Sequence, residues 1–139
     1  MQSKISANTG LLLLAALIHL SVVSAATEKE DFLVRNVQDL IDLCTTPADD
    51  PLNVAAVHFC TGYLVGAYHY HESEHSGPDS RPLVCPPDPK PTRQEAIAEF
   101  VSWTQAHPEY NNERPVDVMF RFLAERWPCR QTPLPGMTK

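Results

Sequence analysis

The densest run of side chains able to bind a metal or move a proton is Tyr68-His69-Tyr70-His71-Glu72-Ser73-Glu74-His75. His71 and His75 stand four apart, and with Glu72 they spell H-E-x-x-H. In zinc proteases that spacing puts two imidazoles on the metal and a carboxylate beside the attacking water. The chemistry needs the motif buried in mid-helix, with a third ligand further along the chain. Here the motif runs into Ser76-Gly77-Pro78, a helix end. His69 and His71, two apart, would project roughly 200° from one another on a helix. The reading taken is a solvated helix terminus that contacts a partner protein. Its candidate contact residues are His69, His71, Glu72, Glu74 and His75; no catalytic residue, metal ligand or cofactor is assigned. A small zinc hydrolase using His71, Glu72 and His75 stands as an alternative.

Other constellations carry less. There is no GxSxG, no GxGxxG and no GxxxxGK[ST], and only 5 glycines to supply a phosphate cradle. Asp49-Asp50 sits in a turn, where carboxylates cap helices more often than they share a proton. The formal net charge of −6 repels phosphate backbones and argues against nucleic acid. An apolar content of 43% against 20% charged residues, on 139 residues, suits one packed domain.

The elements that must position these residues follow from periodicity. Leu33, Val37, Leu40, Ile41 and Cys44 form a helical stripe over residues 30–44, ended by Thr45-Thr46-Pro47. Asp50 and Pro51 announce a second helix over 51–70, with Leu52, Ala56, Phe59, Cys60, Tyr63 and Ala67 on its buried side. Gly62 and Gly66 leave two gaps on one face, which implies close approach of a neighbouring helix. Residues 72–91 hold six of the 13 prolines and predict an extended, stiff loop pinned at Cys85. Thr92-Arg93-Gln94-Glu95 is a capping box that opens a third helix to about residue 106. In it Ala96, Ile97, Phe100, Val101 and Thr104 share a face. A fourth helix starts near Pro115. Its stripe is Val116, Met119, Phe120, Leu123 and Trp127, with Val118 and Phe122 off it, so the helix is apolar on more than one side. Phe100, Trp103, Phe120, Phe122 and Trp127 read as core. The expected fold is all-α: a small, disulfide-stapled bundle of four main helices.

Residues 1–26 read as an export signal. Lys4 is followed by the apolar run from Leu11 and by a small-x-small cleavage pattern after Ala25 or Ala26. The apolar stretch of about 16 residues is short of the roughly 20 needed to span a bilayer, so no stable membrane insertion is expected after cleavage. Since residues 1–26 hold Lys4 and no acid, their removal takes the net charge from −6 to −7. The expected destination is therefore an exported one. In an oxidising compartment Cys44, Cys60, Cys85 and Cys129 favour two disulfides over thiol chemistry, and no CxxC pair suggests zinc. Three pairings are possible. Cys44–Cys60 with Cys85–Cys129 ranks first, because each pair joins elements that periodicity makes neighbours.

Taken in order, several short motifs resemble the Tai-type immunity proteins of type VI secretion. They are Asp39-Leu40-x3-Cys44, Cys60-Thr61-Gly62-Tyr63-Leu64-Val65-Gly66, Val84-Cys85-Pro86-Pro87, Thr92-x-Gln94, His107-Pro108 and Trp127-Pro128-Cys129. The resemblance runs from about residue 32 to 130. It implies a helical immunity-like domain over 27–139 that is periplasmic and often dimeric. It also implies a protein that binds and inhibits a cognate peptidoglycan amidase effector and is not itself an enzyme. Cys44, Cys60, Gly62, Tyr63, Gly66, Cys85, Pro128 and Cys129 carry over as scaffold. The histidine- and proline-rich stretch 69–91 departs from the pattern and is the place to look for the inhibitory surface. An HdeA-like periplasmic acid-stress chaperone is the alternative binding protein, since histidines gain charge near pH 6.

Overall fold

The computed structural model describes residues 27–129. The export signal read at 1–26 and the tail 130–139 lie outside the described residues. Among those described there are four α-helices: α1 (Val37–Cys44), α2 (Asn53–Glu74), α3 (Arg93–Gln105) and α4 (Pro115–Arg126). Short 3-10 turns at Lys29–Leu33 and Pro108–Tyr110 precede α1 and α4. A single isolated antiparallel bridge joins Val84 to Pro128. The all-α expectation holds. No described helix is long and apolar enough to cross a membrane.

The first helix is not the continuous 30–44 segment expected. Val34 adopts a left-handed conformation (φ 47°), which no α-helix can contain, and Asn36 restarts the chain. The Asn36 side chain accepts from the Asp39 amide at 3.0 Å, so α1 begins at Val37. Two further free amides at this end find carbonyls across the fold: Val37 donates to Glu113 and Gln38 to Asn111, both at 3.0 Å. As a consequence Leu33 leaves the stripe and is 67% exposed, while Val37, Leu40 and Ile41 remain buried.

The second helix is displaced toward the C-terminus, running Asn53–Glu74 in place of 51–70. Asp50 spends its carboxylate on a turn, accepting from the Leu52 amide at 2.7 Å, so the helix starts after Pro51. Nothing in Tyr70–His75 breaks a helix; the first true breaker is the pair Gly77-Pro78. The expected close approach at Gly62 and Gly66 does not occur among the described residues. A methyl group added at either position would meet nothing within 4 Å. Phe59 is likewise turned outward and Leu64 takes the buried place.

Thr92 caps α3 as the sequence predicts, with both arms of its capping box formed through Glu95. In α4 the deep positions are Val118, Met119, Phe122 and Leu123, while Val116 and Phe120 are half-buried. The two residues that fell off the expected stripe are thus at the centre of the core. Phe122 touches Phe100, Trp103 and Trp127 at ring distances of 5.7, 5.8 and 6.2 Å. It is the aromatic hub that joins α3 to α4. Burying a ring of this size removes enough apolar surface to contribute about 3 kcal/mol.

Both disulfides form as ranked. Cys44–Cys60 ties α1 to α2, with Cα atoms 5.2 Å apart. Cys85–Cys129 ties the proline-rich loop to the chain just after α4, at 4.9 Å.

Candidate functional site

The C-terminal turns of α2 present the histidine run, and the loop 75–92 folds back over them. Two anchors hold the loop. Beside the Cys85–Cys129 bond, the Cys85 amide donates to the Trp127 carbonyl at 2.9 Å. Further on, Lys90 Nζ donates to Glu72 Oε1 at 2.9 Å. The Lys90 ammonium holds the Glu72 carboxyl below its usual range, and Glu72 in turn raises Lys90. Both groups are well exposed, so this pair contributes at most about 1 kcal/mol. Tyr68 lies alongside; burial first, then the Glu72 charge, pushes its hydroxyl up.

The five candidate contact residues divide into two sets. His69, Glu72 and Glu74 are exposed: His69 and Glu72, three apart, share one side of α2, while Glu74, two beyond Glu72, projects roughly 200° from it. His71 faces inward and is 7% exposed. Its ring lies 5.0 Å from Phe120 of α4 and 4.2 Å from the half-buried His75. His75 Nδ1 donates to the His71 carbonyl at 2.8 Å, which closes the helix end. His71 Nε2 is buried without a hydrogen-bond partner. Burial, followed by the nearby His75, holds the His71 pKa below the ordinary 6.5. A buried, unpaired ring nitrogen resists protonation, so His71 acts as an aromatic wedge between α2 and α4.

The helix does continue through His71-Glu72-Ser73-Glu74-His75, so H-E-x-x-H is helical here. Its geometry does not suit a zinc hydrolase. The two imidazoles pack ring against ring, and Glu72 is committed to Lys90. Among the described residues no group of three or more His, Cys, Asp or Glu side chains is placed to hold a metal.

Sequence reasoning missed a cleft of about 280 Å³ between α2, α3, α4 and the loop. Its floor is Leu64, Phe100, Met119 and Phe122, and its rim carries His69, Glu72, Lys90 and Arg93. Thr92-Arg93 was legible as a helix start. That the same start would face α2 across a cavity depended on where the loop crosses. A second, shallower hollow of about 400 Å³ lies beside His71, His75, Val84 and Lys90. On α2, Val54 and Val57 are 70% and 39% exposed, and an added Cβ at Gly62 or Gly66 would meet nothing within 4 Å among the described residues.

No curated protein and no solved structure matches this chain. One family model does, that of the Rap1a immunity proteins, over residues 36–129. The matched span contains all four α-helices and both disulfides, and with them the scaffold cysteines at 44, 60, 85 and 129. Members of such a family bind a toxin and inhibit it. The chain therefore belongs to the Rap1a immunity proteins, a family of immunity proteins against type VI secretion effectors.

Proposed function

We propose that this protein is exported to the periplasm through a cleavable segment at 1–26, where it binds and inhibits a type VI peptidoglycan amidase. In this reading it has no catalysis of its own. The observation that carries the reading is the family match across the whole helical body. Three physical features support it. Two disulfides suit an oxidising compartment. With 1–26 removed the chain carries −7 and is attracted to a basic wall enzyme, which raises the encounter rate. A loop held at Cys85 and Lys90 loses little freedom when a partner docks on it.

The inhibitory surface in this reading is the C-terminal end of α2, which exposes His69, Glu72 and Glu74, with the adjoining loop. His71 and His75 support it from beneath. A second copy of the chain covers the outer face of α2 near Gly62 and Gly66, giving a homodimer. The experiment is affinity capture from periplasmic and secreted fractions with the disulfide-intact protein as bait, followed by a peptidoglycan-digestion assay on what is captured. The expected catch is a protein that cleaves peptidoglycan amide bonds and stops doing so when bound. Capture of denatured client proteins at pH 2–3 and nothing at neutral pH would favour the acid-stress chaperone in its place.

A further inference from the structure

The cleft between α2, α3 and α4 has a property that the inhibitor reading does not use. Its floor is apolar and buried: Leu64, Phe100, Met119, Phe122 and Leu123 are all at most 7% exposed. At roughly 30 Å³ for each small group in a condensed liquid, 280 Å³ accommodates about nine or ten non-hydrogen atoms. The loop side of the cleft is held by the Cys85–Cys129 staple, so the space exists before any occupant arrives.

The rim selects a sign. Glu72 and Lys90 neutralise each other through their 2.9 Å ion pair. Arg93, also on the rim, pairs with no carboxylate among the described residues. It is the first residue of α3, where the Glu95 carboxylate is already engaged by the Thr92 amide and hydroxyl, so Arg93 itself supplies the rim's free charge. A chain of net charge −6 thus carries one uncompensated cation at the mouth of an apolar cavity. An apolar pocket with a few convergent polar groups is the usual form of a small-molecule site.

We propose that this cleft binds a free anionic amphiphile, a carboxylate on an apolar chain of about ten atoms. The chain lies on Leu64, Phe100 and Phe122, and the head lies at Arg93. This site is independent of whether the protein inhibits an amidase.

The test is calorimetric titration of the purified, disulfide-intact protein with decanoate, with decanol as the uncharged control and phosphatidylglycerol vesicles as the lipid-bound source. The expected result is one-to-one binding of decanoate that saturates below about 1 mM, with a shift in the fluorescence of Trp127, which lines the cleft. Arg93→Glu, at an exposed helix start, should weaken decanoate roughly tenfold and leave decanol unchanged. Ala96→Trp should fill the cleft and abolish both, with circular dichroism confirming the helices; if that variant does not fold, Arg93→Glu decides alone. No saturation below about 1 mM would overturn the proposal. So would binding indifferent to Arg93→Glu, or binding only to vesicles.

Discussion

Replacing Cys85 and Cys129 together by alanine tests how the loop is held. The bond closes a segment with a sequence separation of 44, against 16 for Cys44–Cys60. In the chain-entropy account, cross-linking the unfolded chain contributes about 4 kcal/mol for the longer loop and about 3 for the shorter. What remains at the loop after the substitution is small. It comprises the Cys85 amide bond to Trp127, the Val84–Pro128 bridge, and an exposed Lys90–Glu72 pair worth at most about 1 kcal/mol. Cys85 is exposed, so little packing is lost with it, whereas Cys60 is 2% exposed and its removal would also open the core. Against a typical total of about 5–15 kcal/mol, a loss near 4 shifts the urea midpoint far. The assay is urea unfolding followed by circular dichroism at neutral pH. Stability should fall by about 3–5 kcal/mol, and the slope against urea should steepen because the freed unfolded chain expands. A loss below about 1 kcal/mol with an unchanged slope would refute the reasoning.

Three further outcomes are expected. His71 titrates below 6.5 in the fold, so as pH falls through 6.5 the unfolded chain takes up a proton that the folded chain refuses. Stability should therefore decline by up to about 1.4 kcal/mol per pH unit until folded His71 itself titrates. His71→Phe should remove that slope in urea midpoints between pH 7.5 and 5, although His75, Glu72 and Lys90 all border the same niche. Asn36→Ala removes the cap on Asp39 and should cost about 1 kcal/mol, read as a lower melting temperature with wild-type helix content. At Gly62 an added Cβ meets nothing within 4 Å among the described residues and the position is exposed, so Gly62→Arg should leave the fold intact, while sedimentation should show a dimer turned to monomer. An already monomeric wild type removes the homodimer from the account.

The number and type of helices were legible because α1, α3 and α4 each carry a stripe that buries against the others. Cysteine pairing was legible for the same reason: Cys44 and Cys60 sit on the inner faces of adjacent helices. Boundaries were not. Whether Asp50 caps a helix or a turn is decided by two backbone angles, and Asn36 starts α1 only because Val34 turns left-handed. The glycines misled, since a smooth strip on α2 looks the same whether its neighbour is within the chain or outside it. At the candidate site, residue identity suggested one histidine cluster. Burial splits that cluster into an inward wedge, His71, and the exposed His69, Glu72 and Glu74, because the helix runs on past Tyr70. The cleft was invisible because Arg93, Lys90 and Phe122 meet only when the loop has crossed α2.

The central claim is that this folded surface acts by occluding an enzyme. The most direct measurement is a titration of the protein into a peptidoglycan digest catalysed by the amidase effector it captures. Activity should fall linearly to zero at one protomer per enzyme, and the His69→Ala/Glu74→Ala surface variant should shift that end point. Persistent digestion at a large excess of folded, disulfide-intact protein would contradict the account, as would release of wall peptides by the protein alone.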